Sequence, residues 1–452
     1  MSQIIKKIKY CPDGHSSDDF AYSHCKNYIK YGNCFLCTKE HLIQEFKTWS
    51  SGNANIDKII QESQINNRLE KVHWIHYDNF QNIEHIADGG HGSVYSAKIE
   101  KGIKCDWNFT KQEWDYDFEG IKVALKETKD SSYIAEFLKV INIVNNNQYL
   151  AKYYGISKNP STQGYIIVMD LFDGDLHNLI TKKFWDLGWW ELKLDILITI
   201  AWSLENSNLN YPIYCNLHTG NILINDNFEL NKADSAINLG LCQLENDLIL
   251  NADNKISKIY GLIPFIPPEV LRGNEFTREG DIYSFGGIMY EMVTAQRPFA
   301  DQAHDTYLMI DICNGVRPKV PDFMLNWIPE WYLDVMYQCL NDDPSERPTA
   351  VELSNLFCEI SEKLDANIVD DDVMQQLEIS IENKQKAFKS QELFELSTSS
   401  SKLHPQSCYI SRCIHTLHGL HDLFEAINSG NLSDPNLLLK SNESTISNCQ
   451  NL

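Results

Sequence analysis

Apolar positions along the chain fall into three regimes. From His41 to Asn67 they mark an amphipathic stretch, and from about residue 80 to 360 strand-like and helix-like segments alternate without long gaps. Tyr165-Ile-Ile-Val-Met-Asp-Leu171 predicts a buried strand running into a connector, after which Asp173-Gly-Asp-Leu-His177 opens a helix. Leu192 to Leu204 is interrupted by Lys193 and Asp195 and predicts a buried helix, short of the roughly 20 apolar residues that span a bilayer. Asp281-Ile-Tyr-Ser-Phe-Gly286 opens a second buried helix. Beyond residue 362 the chain turns polar, with an acidic run at Asp370 to Asp372 and a serine-rich run from Ser397. The pattern divides the chain into a leader (1–75), one large domain (80–362) and a tail (363–452) expected to be largely disordered or loosely helical.

Composition changes this picture little. With 43% hydrophobic and 11% aromatic residues the chain is globular in type, and 452 residues allow one large domain with flanking segments. A formal net charge of −23 argues against nucleic acid or an anionic membrane surface as partner, because both reward basic patches. The first residues lack the apolar core of a signal peptide, so a cytoplasmic location is expected. The 13 cysteines are scattered and odd in number, which predicts free thiols rather than a disulfide framework. Cys34-x-x-Cys37 has the spacing of half a zinc site, which Cys11, His15 or Cys25 would complete; buried free thiols are the other reading.

The chemistry concentrates in the large domain. Ile86-Ala-Asp-Gly-Gly-His-Gly-Ser-Val-Tyr95 is a glycine-rich turn between strand-like runs, with Gly89 and Gly92 spaced for backbone approach to phosphates. Val123-Ala-Leu-Lys126 is a β-type run ending in lysine. Tyr214-Cys-Asn-Leu-His-Thr-Gly-Asn221 feeds a short apolar strand, and Ala236-Ile-Asn-Leu-Gly240, Ile259 to Glu269 and Glu346-Arg347-Pro-Thr follow. In order and spacing these segments resemble the subdomains of a eukaryotic protein kinase, and are especially similar to the expanded tyrosine-kinase-like family of arbuscular-mycorrhizal fungi. The resemblance implies an α+β, two-lobed protein-kinase fold: a small five-stranded lobe with one helix, about 80–170, and a mainly helical lobe, about 173–362. It implies ATP as ligand, an adenine wall of Val94, Ala124 and Leu223, Met169 as gatekeeper and Asp170 to Phe172 as hinge. It further implies a buried Glu269–Arg347 pair and Asp281 fastening the catalytic loop, both matters of folding.

Matched residue by residue, the catalytic set is depleted. Lys126 stands at the phosphate-anchoring lysine and Asn221 at the catalytic-loop asparagine, while Ala87 replaces the first loop glycine. The H-R-D triplet falls on Tyr214, Cys215 and Asn216, so the base position holds an amide that accepts no proton near neutral pH. The D-F-G triplet falls on Asn238, Leu239 and Gly240, and an amide oxygen binds magnesium more weakly than a carboxylate. Either Glu136 or Val140 occupies the helix-glutamate position, and the Phe-Leu-x-Glu pattern of the family favours Val140. The expectation is a pseudokinase with a residual ATP site, weak and little dependent on magnesium, acting as a signalling scaffold for proteins that include other kinases. Two alternatives are a weakly active serine/threonine or dual-specificity kinase, and an adaptor working through the cysteine-bearing leader.

Overall fold

The computed structural model describes residues 10–15, 32–67, 71–89, 92–128, 131–144, 147–185, 189–205, 212–225, 234–239, 243–244, 256–366, 368, 371–389, 403–421, 427–430 and 432–437. Two units partition the chain, one of residues 1–146 and 152–171, the other of 147–151 and 172–452. The division after Leu171 falls inside the expected hinge.

Two leader helices open the first unit: α1 (Phe35–Glu45) and α2 (Ala54–Asn66). Asn53 caps α2 by accepting from the amides of Asn55 and Ile56, and Ile56, Ile59, Ile60 and Ser63 form its buried stripe. Strands follow as β1 (His73–Trp74), β2 (Phe80–Gly89), β3 (Gly92–Ile99), β4 (Ile103–Asn108), β5 (Glu113–Asp117), β6 (Lys122–Thr128), β7 (Tyr153–Lys158) and β8 (Tyr165–Asp170), with helix α3 (Ser131–Val144) between β6 and β7. Six strands form one sheet in the order β1-β7-β8-β6-β3-β2, over a core that includes Phe80, Ile99, Val123, Leu125, Ile166 and Val168.

The lobe expected to hold five strands and one helix is therefore larger. β1 joins the sheet by parallel pairing with β7, β4 and β5 form a separate hairpin, and the described leader belongs to this same unit. The end of the leader packs into this unit: Val72 and Ile75 are core residues, and the Ile75 amide donates to the Ile156 carbonyl at 2.9 Å. Polar ties reinforce the join: Glu45 accepts from Lys104 Nζ at 2.7 Å and from the Trp114 indole at 2.8 Å, and Thr38 Oγ1 accepts from the Trp107 amide at 2.9 Å.

The second unit begins with β9 (Gly174–Asp175), α4 (Leu176–Lys183) and α5 (Trp189–Leu204), then β10 (Pro212–Ile213), β11 (Ile222–Asn225), β12 (Asp234–Ile237), β13 (Gln243–Leu244) and β14 (Lys258–Gly261). Helices α6 (Pro268–Leu271), α7 (Arg278–Thr294), α8 (Thr306–Cys313), α9 (Glu330–Cys339), α10 (Ala350–Asp365) and α11 (Asp372–Lys389) follow, and the strand β15 (Arg412–His415) comes from the tail. Both expected buried helices are present: α5 buries Leu194, Leu197, Ile200 and Ala201, and α7 is buried along nearly its whole length. Among the described residues no helix is long and apolar enough to cross a membrane.

Where it is described, the tail contributes a helix and a strand that pack on the second unit. α11 buries Met374, Leu377, Ser380 and Ala387, and β15 pairs antiparallel with β14. Polar average composition hid a few apolar residues at regular spacing, which is enough to dock a segment on an existing surface. The serine run from Ser397 and the polar last dozen residues lie outside the described residues.

Candidate functional site

In the first unit, the glycine-rich turn is the end of the β2–β3 hairpin, with Gly89 opposite Gly92 and Ala87 opposite Val94. Gly92 has φ +143° and a Cβ there would lie 1.8 Å from the Glu127 carbonyl oxygen, so only glycine lets this hairpin approach β6. Gly90 and His91 lie outside the described residues. Pairing brings Val94 opposite Lys126, Lys126 opposite Ile167, and Ala124 opposite Met169. Ala124 and Met169 are buried, and Val94 and Lys126 are half-buried, which leaves an apolar wall with one ammonium beside it. The Asp170 carboxylate accepts from the Tyr154 hydroxyl and, at 3.3 Å, from the Lys152 amide.

Helix α3 bears on the open register. Glu136 has a 62% exposed side chain that pairs with Lys139 at 2.8 Å, whereas Val140 is 3% exposed. The only residue of the two that faces the interior is the valine.

In the second unit the Tyr214–Asn221 segment is held by Asp281, whose carboxylate accepts from the Tyr214 amide at 2.8 Å and from the Cys215 amide at 3.1 Å. Burial pushes the Asp281 carboxyl up to about 7, against the lowering effect of those two amides. Cys215 adopts φ +59°, a left-handed turn that these bonds hold. Three asparagines are linked beyond it through their main chains. Asn221 Nδ2 donates to the Asn216 carbonyl at 2.8 Å, and the Asn238 amide donates to the Asn221 carbonyl at 2.8 Å. Leu223 lies on β11 opposite Asp175 and Ala236, and Phe172 and Asn238 are half-buried. Gly240 lies outside the described residues. Glu269 and Arg347 form the expected buried pair, with two bonds of 2.8 Å.

Sequence reasoning missed Ser411. Its hydroxyl accepts from Asn216 Nδ2 at 3.0 Å and lies 3.4 Å from both Asn216 Oδ1 and His218 Nε2. With 195 residues between the partners, no local spacing could have signalled it.

The leader holds a second cluster. Cys11, His15, Cys34 and Cys37 place their ligand atoms within 4.8 Å of one another. His15 Nδ1 stands 3.4 Å from Cys11 Sγ, 3.5 Å from Cys34 Sγ and 3.4 Å from Cys37 Sγ, and the Cys11 and Cys37 sulfurs are 3.6 Å apart. A zinc tetrahedron has sulfur–sulfur edges of about 3.8 Å and sulfur–nitrogen edges of about 3.6 Å, so the set fits. All three cysteines are free and buried, and burial raises the Cys34 and Cys37 thiols. A cation at the centre would reverse that. Cys25 lies outside the described residues.

Residues 80–357 match the family described as protein tyrosine and serine/threonine kinase. Among curated relatives, the chain is 26% identical over 293 residues to "Probable serine/threonine-protein kinase roco5" of Dictyostelium discoideum, covering 62% of this chain and 10% of that protein. It is 24% identical over 303 residues to "Receptor-interacting serine/threonine-protein kinase 4" of Mus musculus, covering 64% of this chain and 35% of that one. It is also 24% identical over 324 residues to a "Probable tyrosine-protein kinase" of Dictyostelium discoideum, covering 65% and 82%. The chain thus spans about a tenth and a third of the first two relatives. With a hairpin, lysine, loop and buried ion pair in kinase order and a family match over more than half its length, the chain belongs to the protein tyrosine and serine/threonine kinase family.

Proposed function

We propose that this protein is a pseudokinase of the tyrosine-kinase-like group, a signalling scaffold that binds proteins, other kinases among them, and keeps a residual ATP site. The observation that carries the reading is the pair of amides at positions that call for carboxylates: Asn216 where a base is required, and Asn238 where magnesium is held beside Asn221, which matches the family's own asparagine. An amide neither takes the substrate hydroxyl proton nor offers anionic oxygen to a hard cation. Buried Val140 at the helix position deepens the loss, because exposed Glu136 is already engaged by Lys139.

Bound ATP would supply the phosphates that Lys126 and the hairpin amides meet, and Val94, Ala124 and Met169 offer apolar surface to its base. Asn238 offers a neutral oxygen where the family's aspartate would hold the metal, so binding should be weak and little changed by magnesium. A thermal-shift series tests this: small gains with ATP, alike in magnesium and in chelator, and reduced by Lys126→Met. A large gain that appears only with magnesium would contradict the reading.

The cysteine-bearing leader supports a structural role beside it. We infer one zinc ion held by Cys11, His15, Cys34 and Cys37, a closed set with no position left for chemistry. The Glu40 carboxylate, 3.7 Å from His15 Nε2, would orient the imidazole. Metal analysis of the purified chain should find one zinc per chain; none would return these cysteines to a packing role.

A further inference from the structure

Among the described residues strand β14 pairs only with the chain's own tail strand β15, in a two-stranded antiparallel sheet. Lys258 pairs with His415, Ile259 with Ile414, Tyr260 with Cys413 and Gly261 with Arg412. The register places Ser411 one residue beyond the end of β14, beside the turn that carries Asn216 and His218. That is where its hydroxyl meets the Asn216 side chain at 3.0 Å. In an active kinase the corresponding aspartate receives the hydroxyl proton of the substrate. A serine presented there on an extended strand stands as a substrate residue would.

The segment is held on both sides of the serine. Before it, the Tyr409 hydroxyl donates to the Pro298 carbonyl at 2.9 Å, and buried His304 accepts from the Cys408 amide at 3.0 Å while its Nε2 reaches the Phe299 carbonyl at 3.2 Å. After it, Ile414 is fully buried, the Thr416 amide donates to the Ser257 carbonyl at 3.1 Å, and the Leu417 amide to the Leu271 carbonyl at 2.8 Å. Gly419 then passes so near the residue that precedes β14 that a Cβ would lie 2.2 Å from the Ser257 carbonyl oxygen.

We propose that the β14 edge, together with the Asn216–His218 turn, is a docking surface for an extended, hydroxyl-bearing peptide, and that Tyr409–Thr416 fills it as a tethered pseudosubstrate. Main-chain pairing along β14 supplies the affinity, the buried Ile414 side chain supplies the anchor, and the hydroxyl facing Asn216 sets the register. Because the tail is covalently attached, it competes at an effective concentration that free peptides must match, on the order of millimolar for a flexible tether. A partner peptide therefore gains the edge only when the tail leaves. The proposal rests on the reading of Asn216 as the base position, yet needs no catalysis.

The test uses the full chain and a fluorescent synthetic peptide with the sequence of residues 407–417. Gly419→Val forces the tail off the edge, since the added side chain meets backbone rather than a flexible side chain. The variant should bind the peptide at least tenfold more tightly than wild type, and a probe carrying Ile414→Asp should lose that gain. Equal affinity in the two chains, or no binding by the variant, overturns the proposal. A measurement on wild type covers a variant that does not fold: millimolar peptide should speed hydrogen exchange at the 412–415 amides and spare those of α7. Unchanged exchange at 412–415 overturns the proposal equally. Incubation with radiolabelled ATP and magnesium separates the two readings, because label on Ser411 would sink the pseudokinase reading while supporting the docking of the tail at the base position.

Discussion

Replacing Arg347 with methionine should destabilise the second unit more than any surface change. Arg347 is buried, donates two bonds of 2.8 Å to Glu269, and adds bonds to the Glu279 carbonyl at 2.8 Å and the Asn341 carbonyl at 3.0 Å. Arg347→Met leaves the Glu269 carboxylate, only 7% exposed, without its cation. Breaking a buried pair from one side costs about 3 to 5 kcal/mol. Removing both charges, as in Glu269→Leu with Arg347→Met, should recover much of that loss, because the penalty lies in the stranded charge. Urea unfolding followed by hydrogen exchange of the α7 amides reads the unit that carries the pair. With an m-value of about 3 kcal/mol/M, the single variant should lower the midpoint by about 1 to 1.7 M. A single variant within about 0.3 M of wild type, or a double variant as unstable as the sum of the singles, would refute the reasoning.

Acid should loosen the tail. Burial, with Arg412 and His404 pressing the same way, holds the His304 imidazole down to about 4. The unfolded group titrates near 6.5, so between those values the unfolded chain binds a proton the folded one does not. Stability is then lost as pH falls through this window, by up to about 3 kcal/mol; exchange at the 406–415 amides should rise accordingly, and His304→Asn should flatten the profile. For the leader, Cys34→Ser or prolonged chelation should lower the melting temperature of the first unit by several degrees, read as circular dichroism, and leave the Glu269–Arg347 unit unchanged. If both treatments are silent, the four-residue cluster holds no structural metal.

Much of the second unit was legible because its signals are local. The Glu269 and Arg347 segments, placed by family order, meet in the structure as a buried pair. The helix register was legible only as a choice, which the burial of Val140 and exposure of Glu136 now weigh. The leader pair Cys34 and Cys37 gave half a site; their partners Cys11 and His15 are brought in by chain folding that spacing does not encode. Membership of the leader in the sheet depended on a two-residue strand, too short for any periodicity to reveal. The packing of the described tail was not legible for a related reason, since Ile414 and Leu420 are isolated apolar residues whose burial needs a surface built elsewhere in the chain.

Phosphoryl transfer itself is the most direct test of the central claim. Wild-type chain, Lys126→Met, and the triple variant Asn216→Asp, Asn238→Asp, Val140→Glu should be compared with radiolabelled ATP, magnesium and a protein acceptor. Wild type should stay at the Lys126→Met background, far below the roughly 1 to 100 per second usual for kinases. Any gain should appear only in the combined variant, because these groups act as a unit. Ordinary turnover by the wild-type chain, abolished by Lys126→Met, would contradict the account.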